Sequence, residues 1–236
     1  MYDLGKTQRD YAVYLPAISS FYTKQLQKCL DNPDEWRTIK GFEKGLAGLD
    51  FLKQDSYFHY PFGLYSAGHA HLDIDKSNKD EAMIQSRDQN NTMILGDSGG
   101  FQIATGVLKL DYYMRNRNPE KCKFLNVLSG ADEYQSDHWY EAVKHFSDPA
   151  FVKEAYGDEA RTLEGYAFAG INMRNMRCVL KRLLKLREDG LLENKGWIHF
   201  LGTGRLQWAC HLTSIQRMLR KHDSPNITLS FDAASP

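Results

Sequence analysis

The 236-residue chain has no run of apolar residues approaching the ~20 needed to cross a bilayer, and its N-terminus lacks the basic-then-apolar pattern of a secretory signal. A membrane span is not expected. Excess charge of either sign is missing as well: Lys plus Arg and Asp plus Glu number 30 each, so no global field draws the chain to a polyanion, and any nucleic-acid surface has to be local. Cysteine is scarce. Cys29, Cys122, Cys178 and Cys210 stand far apart with no Cys-x-x-Cys spacing, which speaks against a zinc ribbon or a disulfide framework and leaves free, buried thiols as the expectation. Internal repeats and low-complexity tracts are also lacking.

What the chain does have is a recurring plan of short apolar strand, glycine turn and helix. Strands are expected over 11–15, 63–67, 93–96, 124–128, 165–169, 197–201 and 227–231, and helices over 22–30, within 76–91, and over 132–146, 173–187 and 206–221. A weaker helical stretch from Glu35 toward Leu52 is interrupted by Gly41, Gly45 and Gly48. In the helix of 132–146, Trp139, Val143 and Phe146 form one stripe; in that of 173–187, Val179, Leu180, Leu183 and Leu184 can pack inward. Alternation of this kind marks an α/β fold with a parallel sheet, in which ligands gather at the carboxyl ends of the strands. The length suits one large domain, residues 1–236, and α/β barrels commonly occupy this range.

Two of these strands deliver a carboxylate to that end. Met93-Ile94-Leu95-Gly96-Asp97 runs into Ser98-Gly99-Gly100-Phe101-Gln102. Its glycines let backbone N–H groups approach a flat ligand, Phe101 offers a ring for stacking, and Gln102 offers a donor and an acceptor. A strand-end turn capped by Asp97 is the plainer alternative. The last strand hands over Asp232 in the same way, so Asp97 and Asp232 are expected to converge. His69, His71, Asp73 and Asp75 alternate as ligands on one side of an extended segment would, but polar loops after strands produce the same pattern without a metal, and no metal site is assigned.

Basic residues cluster in two places. Arg115 and Arg117, followed by Lys121 and Lys123, are interleaved with aromatics, and the helix of 173–187 carries Arg174, Arg177, Lys181, Arg182, Lys185 and Arg187 with no acid among them. Arginine holds phosphates and stacks on bases, so both are candidate nucleic-acid surfaces, together with Arg205; exposed loop ends and a solvated outer helix face are the alternatives.

The segment Asp97 to Gln102 resembles the signature of the tRNA-guanine transglycosylase superfamily, and three later motifs agree in order with it: Gly165-Tyr166-Ala167-Phe168-Ala169-Gly170, Phe200-Leu201-Gly202-Thr203-Gly204 and Phe231-Asp232-Ala233-Ala234. The resemblance covers roughly residues 93–236. Asn126 to Gly130 ahead of Trp139 to Val143, the form His199-Phe200-Leu201-Gly202, and Ser230 to Pro236 are similar to the DNA-modifying branch, the DpdA-type 7-deazaguanine DNA transglycosylases.

This resemblance implies a TIM-type (β/α)8 barrel that exchanges guanine in a nucleic acid for a 7-deazaguanine base such as preQ0. Asp232 is then the nucleophile and Asp97 the acid/base. Phe101 stacks on the base, Ser98, Gly99, Gly100, Gln102, Ser129 and Gly130 bind its edges, and Ala169, Gly170, Ile171, Leu201 and Gly202 wall the pocket. The implied partner is DNA, with tRNA as the alternative and an accessory protein that opens the duplex as a further possibility. No cofactor is required, and the implied location is the cytoplasm of a bacterium or a phage-infected host.

Departures from the family pattern are visible. Ser129 stands at or near the position where members carry Gln, and only about twenty residues separate Gln102 from the next strand, too few for a further strand–helix unit that would bring another purine-recognising Asp. The cysteine-rich zinc site is absent, leaving zinc uncertain, and four residues follow Asp232. The barrel is expected to be incomplete, lacking an internal segment near 108–111 and a C-terminal region. The competing readings are a tRNA transglycosylase or its non-catalytic partner subunit, a barrel hydrolase with paired acids, and a nucleic-acid-binding module without catalysis.

Overall fold

The computed structural model describes residues 8–18, 20–32, 37, 40–66, 82–97, 114–115, 118–120 and 123–233. Its contacts group into two compact units, one holding residues 8–14 and the chain from 100 onward, the other residues 15–99. Among the described residues every strand pair in both is parallel, so the α/β class expected from the alternating pattern holds.

The larger unit is built on a five-stranded sheet with strands β1 (Val13–Tyr14), β5 (Leu125–Leu128), β6 (Gly165–Phe168), β7 (Trp197–Phe200) and β8 (Thr228–Phe231), in the order β1-β8-β7-β6-β5. Because side chains alternate across a strand, the register sorts them into two faces. Leu128, Phe168, Phe200, Phe231 and Tyr14 fall in one cross-strand row and belong to the main core, with Phe168 and Phe200 stacked at 4.9 Å. The opposite face carries Ala167, His199, Ser230 and Val13 in one row, all buried.

Helices α3 (Glu133–Val143), α4 (Pro149–Tyr156), α5 (Met176–Glu188) and α6 (Leu206–His222) follow the strands. Their starts are written locally. Asp132 accepts the Gln135 N–H at 2.8 Å, Asp148 accepts that of Ala150 at 2.9 Å, and Asn175 accepts that of Arg177 at 3.0 Å, each satisfying an otherwise orphaned donor of a first turn. Residues 149–156 form a helix beyond those expected from the pattern, although Pro149 at its first position and Gly157 as a left-handed C-cap are its ordinary signals. Helix α5 buries Cys178, Val179, Arg182, Leu183 and Leu186, whereas Leu180 and Leu184 are exposed at 45 % and 56 %. The expected inward stripe therefore has to be corrected: the helix is rotated so that Leu186 takes the place assigned to Leu180 and Leu184. In α3 the fully buried aromatic is Tyr140 rather than a member of the Trp139 stripe.

Strand β1 is held by α6. Gln216 donates from Nε2 to the Arg9 carbonyl at 3.1 Å and accepts the Leu229 N–H at 2.7 Å, and Ala12 donates to Thr213 Oγ1 at 3.2 Å. Of the cysteines, Cys178 is a buried free thiol as expected, but Cys210 is exposed on α6.

The smaller unit has the sheet β2-β3-β4, with β2 (Ala17–Ile18), β3 (Phe62–Ser66) and β4 (Met93–Asp97), and the helices α1 (Ser20–Asp31) and α2 (Ala82–Gln85). Ile18, Leu26, Leu52 and Met83 form its core. Between α1 and β3 the described part of the weak helical stretch contains only a 3-10 turn, Leu46–Leu49, as its three glycines would suggest. Among the described residues no helix is long and apolar enough to cross a membrane.

Candidate functional site

At the carboxyl end of the larger sheet, β8 is followed directly by Asp232, which is 9 % exposed. Two nitrogens, one from β7 and one from the turn after it, meet one of its oxygens. The Gly202 N–H donates to Oδ1 at 3.0 Å, and His199 Nε2 stands 3.1 Å from the same atom. No described residue donates to Oδ2. The carboxylate is thus gripped by one oxygen, and among the described residues the other takes no hydrogen bond.

Gly202 can present its N–H this way because its φ is +65°, a region that costs an L-residue about 1–2 kcal/mol. A Cβ at this position would also collide with the Met173 methyl. At the end of β6, Gly170 has φ +63° and packs against the Gly130 backbone, where Ile171 donates to the Gly130 carbonyl at 2.8 Å. The loops after β5 and β6 are stapled together by backbone.

Behind Asp232 lies a buried polar chain. His199 Nδ1 is 2.8 Å from Ser230 Oγ, and Trp197 donates from Nε1 to the same hydroxyl at 2.7 Å. All three side chains lie on the one sheet face, since Trp197 and His199 are two apart on β7, Ser230 and Asp232 two apart on and after β8, and His199 is paired in register with Ser230. His199 and Ser230 are completely buried. Two further buried polar atoms near this end, Thr203 Oγ1 and Asn172 Oδ1, take no hydrogen bond from the described residues. Asn172 is anchored by its other atom, Nδ2, which donates to the Leu128 and Ala169 carbonyls at 3.3 and 3.1 Å.

The sequence-expected residues are distributed as follows. Ser129, Gly130, Ala169, Gly170, Ile171, Leu201 and Gly202 all occupy turns at the carboxyl ends of β5, β6 and β7, the end that holds Asp232. Asp97 is the last residue of β4, in register with Ser66. Ser98, Gly99, Gly100, Phe101, Gln102, Arg117, Lys121, His69 and His71 lie outside the described residues.

The basic candidates divide. Arg174 and Arg177 follow β6 and Arg205 follows β7, all exposed and at the Asp232 end of the sheet. Arg115 places its guanidinium 5.3 Å from the centre of the Tyr156 ring. The remaining cations of α5 are ion-paired with acids: Lys181 with Glu133 and Asp137 at 2.7 and 2.8 Å, Arg182 with Asp137 at 2.6 Å, Lys185 with Asp189 at 2.6 Å, and Arg187 with Asp223. Hydrogen bonding to these acids holds the Lys181 and Arg187 side chains above their ordinary pKa values. This part of α5 is a helix–helix seam. Between α3 and α5 runs a groove of about 680 Å³ with Leu180 and Leu184 among its lining.

Among the described residues no group of three His, Cys, Asp or Glu side chains is placed to hold a metal ion. Motif reading gives His199 and Ser230 no role of their own; the signal that could single them out is a polar residue two positions from Trp197 or Asp232 inside an otherwise apolar strand. Compared with protein-family models, curated proteins and solved structures, the chain shows no match in any of the three.

Proposed function

We propose that the protein is a DNA-guanine transglycosylase, which replaces guanine in DNA by a 7-deazaguanine base without cutting the strand. The observation that carries this is the carboxylate of Asp232 at the carboxyl end of a parallel sheet, met on Oδ1 by the Gly202 N–H and His199 Nε2 while no described residue donates to Oδ2. Substitution at a sugar C1′ passes through an oxocarbenium-like transition state, and a fixed carboxylate with one open oxygen suits that carbon. The motif resemblance supplies the choice of base exchange over other chemistry at a glycosidic carbon.

In the first half of the reaction, Asp232 Oδ2 forms a bond to C1′ while the bond from C1′ to guanine N9 breaks, its electron pair going to the base. Asp97 gives the departing guanine a proton. In the second half, N9 of the incoming deazaguanine attacks C1′, the Asp232 ester bond breaks, and Asp97 takes the proton released from N9. Electrons and protons balance with no cofactor. Arg174, Arg177 and Arg205 serve as phosphate contacts, offsetting the few kcal/mol that extruding a base from the duplex costs. The fold that accompanies this activity is a (β/α)8-type barrel, and the parallel strands with their following helices are compatible with it.

Incubation of the protein with duplex DNA, or separately with tRNA, and labelled preQ0 tests the reading. Label is expected in DNA, and is expected to vanish in Asp232→Ala and Asp97→Ala. Label in tRNA alone overturns the DNA substrate. Absence of label in both, with Asp232→Ala indistinguishable from the parent in covalent trapping, overturns base exchange.

A further inference from the structure

We infer that Trp197, Ser230 and His199 form a directional hydrogen-bond relay that fixes the imidazole tautomer and so aims Oδ2 of Asp232; its role in turnover rests on the proposed transglycosylase reading.

The direction follows from which groups can only donate or only accept. The indole N–H of Trp197 has no acceptor function, so at 2.7 Å it must give its hydrogen to Ser230 Oγ. The serine hydroxyl then has one hydrogen of its own left to place, and its near neighbour is His199 Nδ1 at 2.8 Å. In the neutral imidazole, Nδ1 accepts this hydrogen and the ring proton resides on Nε2, which faces Asp232 Oδ1 at 3.1 Å. An ionised carboxylate only accepts, so the chain ends there with every member satisfied. The Gly202 N–H reaches the same oxygen from the β7 turn at 3.0 Å.

Two donors converging on Oδ1 set the carboxylate plane and direct the remaining lone pairs, those of Oδ2, away from them. Ala167 occupies the position across from His199 on β6, and its small side chain leaves the imidazole space within the row. The relay lies entirely at low exposure, where hydrogen bonds polarise one another and no water competes for the members. Trp197, Ser230 and His199 touch no reacting atom; they are positioning residues.

The tautomer can be read without any assay of activity. Long-range proton–nitrogen correlation on the full chain with ¹⁵N-labelled histidine, the His199 signal assigned by its loss in His199→Phe, is recorded at pH 8.5, about two units above the ordinary imidazole pKa. Expected is an Nε2–H tautomer in the parent and a mixture with Nδ1–H in Ser230→Ala, with Trp197→Phe as a second variant in case the first does not fold. A parent Nδ1–H tautomer, or a proton distribution that neither variant moves, overturns the relay. In turnover, Ser230→Ala is expected to lower kcat roughly two- to tenfold, as for loss of one neutral hydrogen bond, with KM for the base little changed. A rise in KM of that size with unchanged kcat also overturns it. Absence of base exchange in the parent, alongside the expected tautomer, removes the transglycosylase reading and leaves the relay standing.

Discussion

Lys195 makes the stability of this protein depend on pH with a sign and size that the structure sets, and replacing it by methionine removes that dependence. Lys195 stands before β7, 5 % exposed, and donates from Nζ to the Ser147 and Leu163 carbonyls at 2.8 and 2.9 Å. Burial pushes its pKa down from an ordinary value of 10.5 to about 8, with Glu164 and Asp148 pulling the other way. Each pH unit between the folded and unfolded pKa is worth about 1.4 kcal/mol. The gap therefore corresponds to about 3 kcal/mol, an upper bound because the two carbonyls favour the charged ammonium. For a group whose pKa is depressed by folding, the unfolded chain binds the extra proton between the two values. Stability attributable to Lys195 is thus full above pH 10.5 and is lost as the pH falls to 8. Methionine cannot titrate. The difference in unfolding free energy, parent minus Lys195→Met, measured by urea denaturation from about pH 7 to 10.5, is expected to grow by up to about 3 kcal/mol with rising pH. A difference that stays flat, or falls, would refute the assignment of a buried, depressed ammonium at this site.

Gly202→Ala must hold φ at +65° with a Cβ, so it is expected to cost about 1–2 kcal/mol and to reduce base exchange by displacing the N–H that grips Asp232; thermal unfolding and preQ0 incorporation check the two parts. Arg182→Met removes a guanidinium 4.2 Å from the Tyr140 ring, yet Asp137 keeps Lys181 at 2.8 Å and strands no charge, so calorimetry should show a loss of only about 1–2 kcal/mol. Joint replacement of Arg174, Arg177 and Arg205 by alanine is expected to flatten the dependence of log K for DNA on log salt by about 0.9 for each phosphate no longer neutralised, while Lys181→Ala, whose partners are Glu133 and Asp137, leaves that slope unchanged. Asn126→Leu removes the amide that donates to the Val143 carbonyl at 2.8 Å and to the Ser147 hydroxyl at 2.9 Å, and urea denaturation should show the larger unit destabilised by about 1–3 kcal/mol.

The amino-acid sequence by itself determined the elements and their class. Short apolar runs ending in glycine read as parallel strands because strand length and turn chemistry are local, and the caps at Asp132, Asp148 and Asn175 act within three residues of themselves. It also placed Asp232 at the carboxyl end of a strand, since it directly follows Phe231, the last residue of β8. Other features were decided only by tertiary structure, because they depend on which surface meets which. The rotation of α5 that buries Leu186 and exposes Leu180 and Leu184 is set by packing against the core, and periodicity alone allows either. A run of arginines and lysines looks the same in sequence whether it faces DNA or the acids of a neighbouring helix; Glu133 and Asp137, more than forty positions away, settle it for Lys181 and Arg182. The relay from Trp197 through Ser230 and His199 to Asp232 needs two strands, separated by a long helix, to lie in one register, and hydrogen-bond direction exists only once they do.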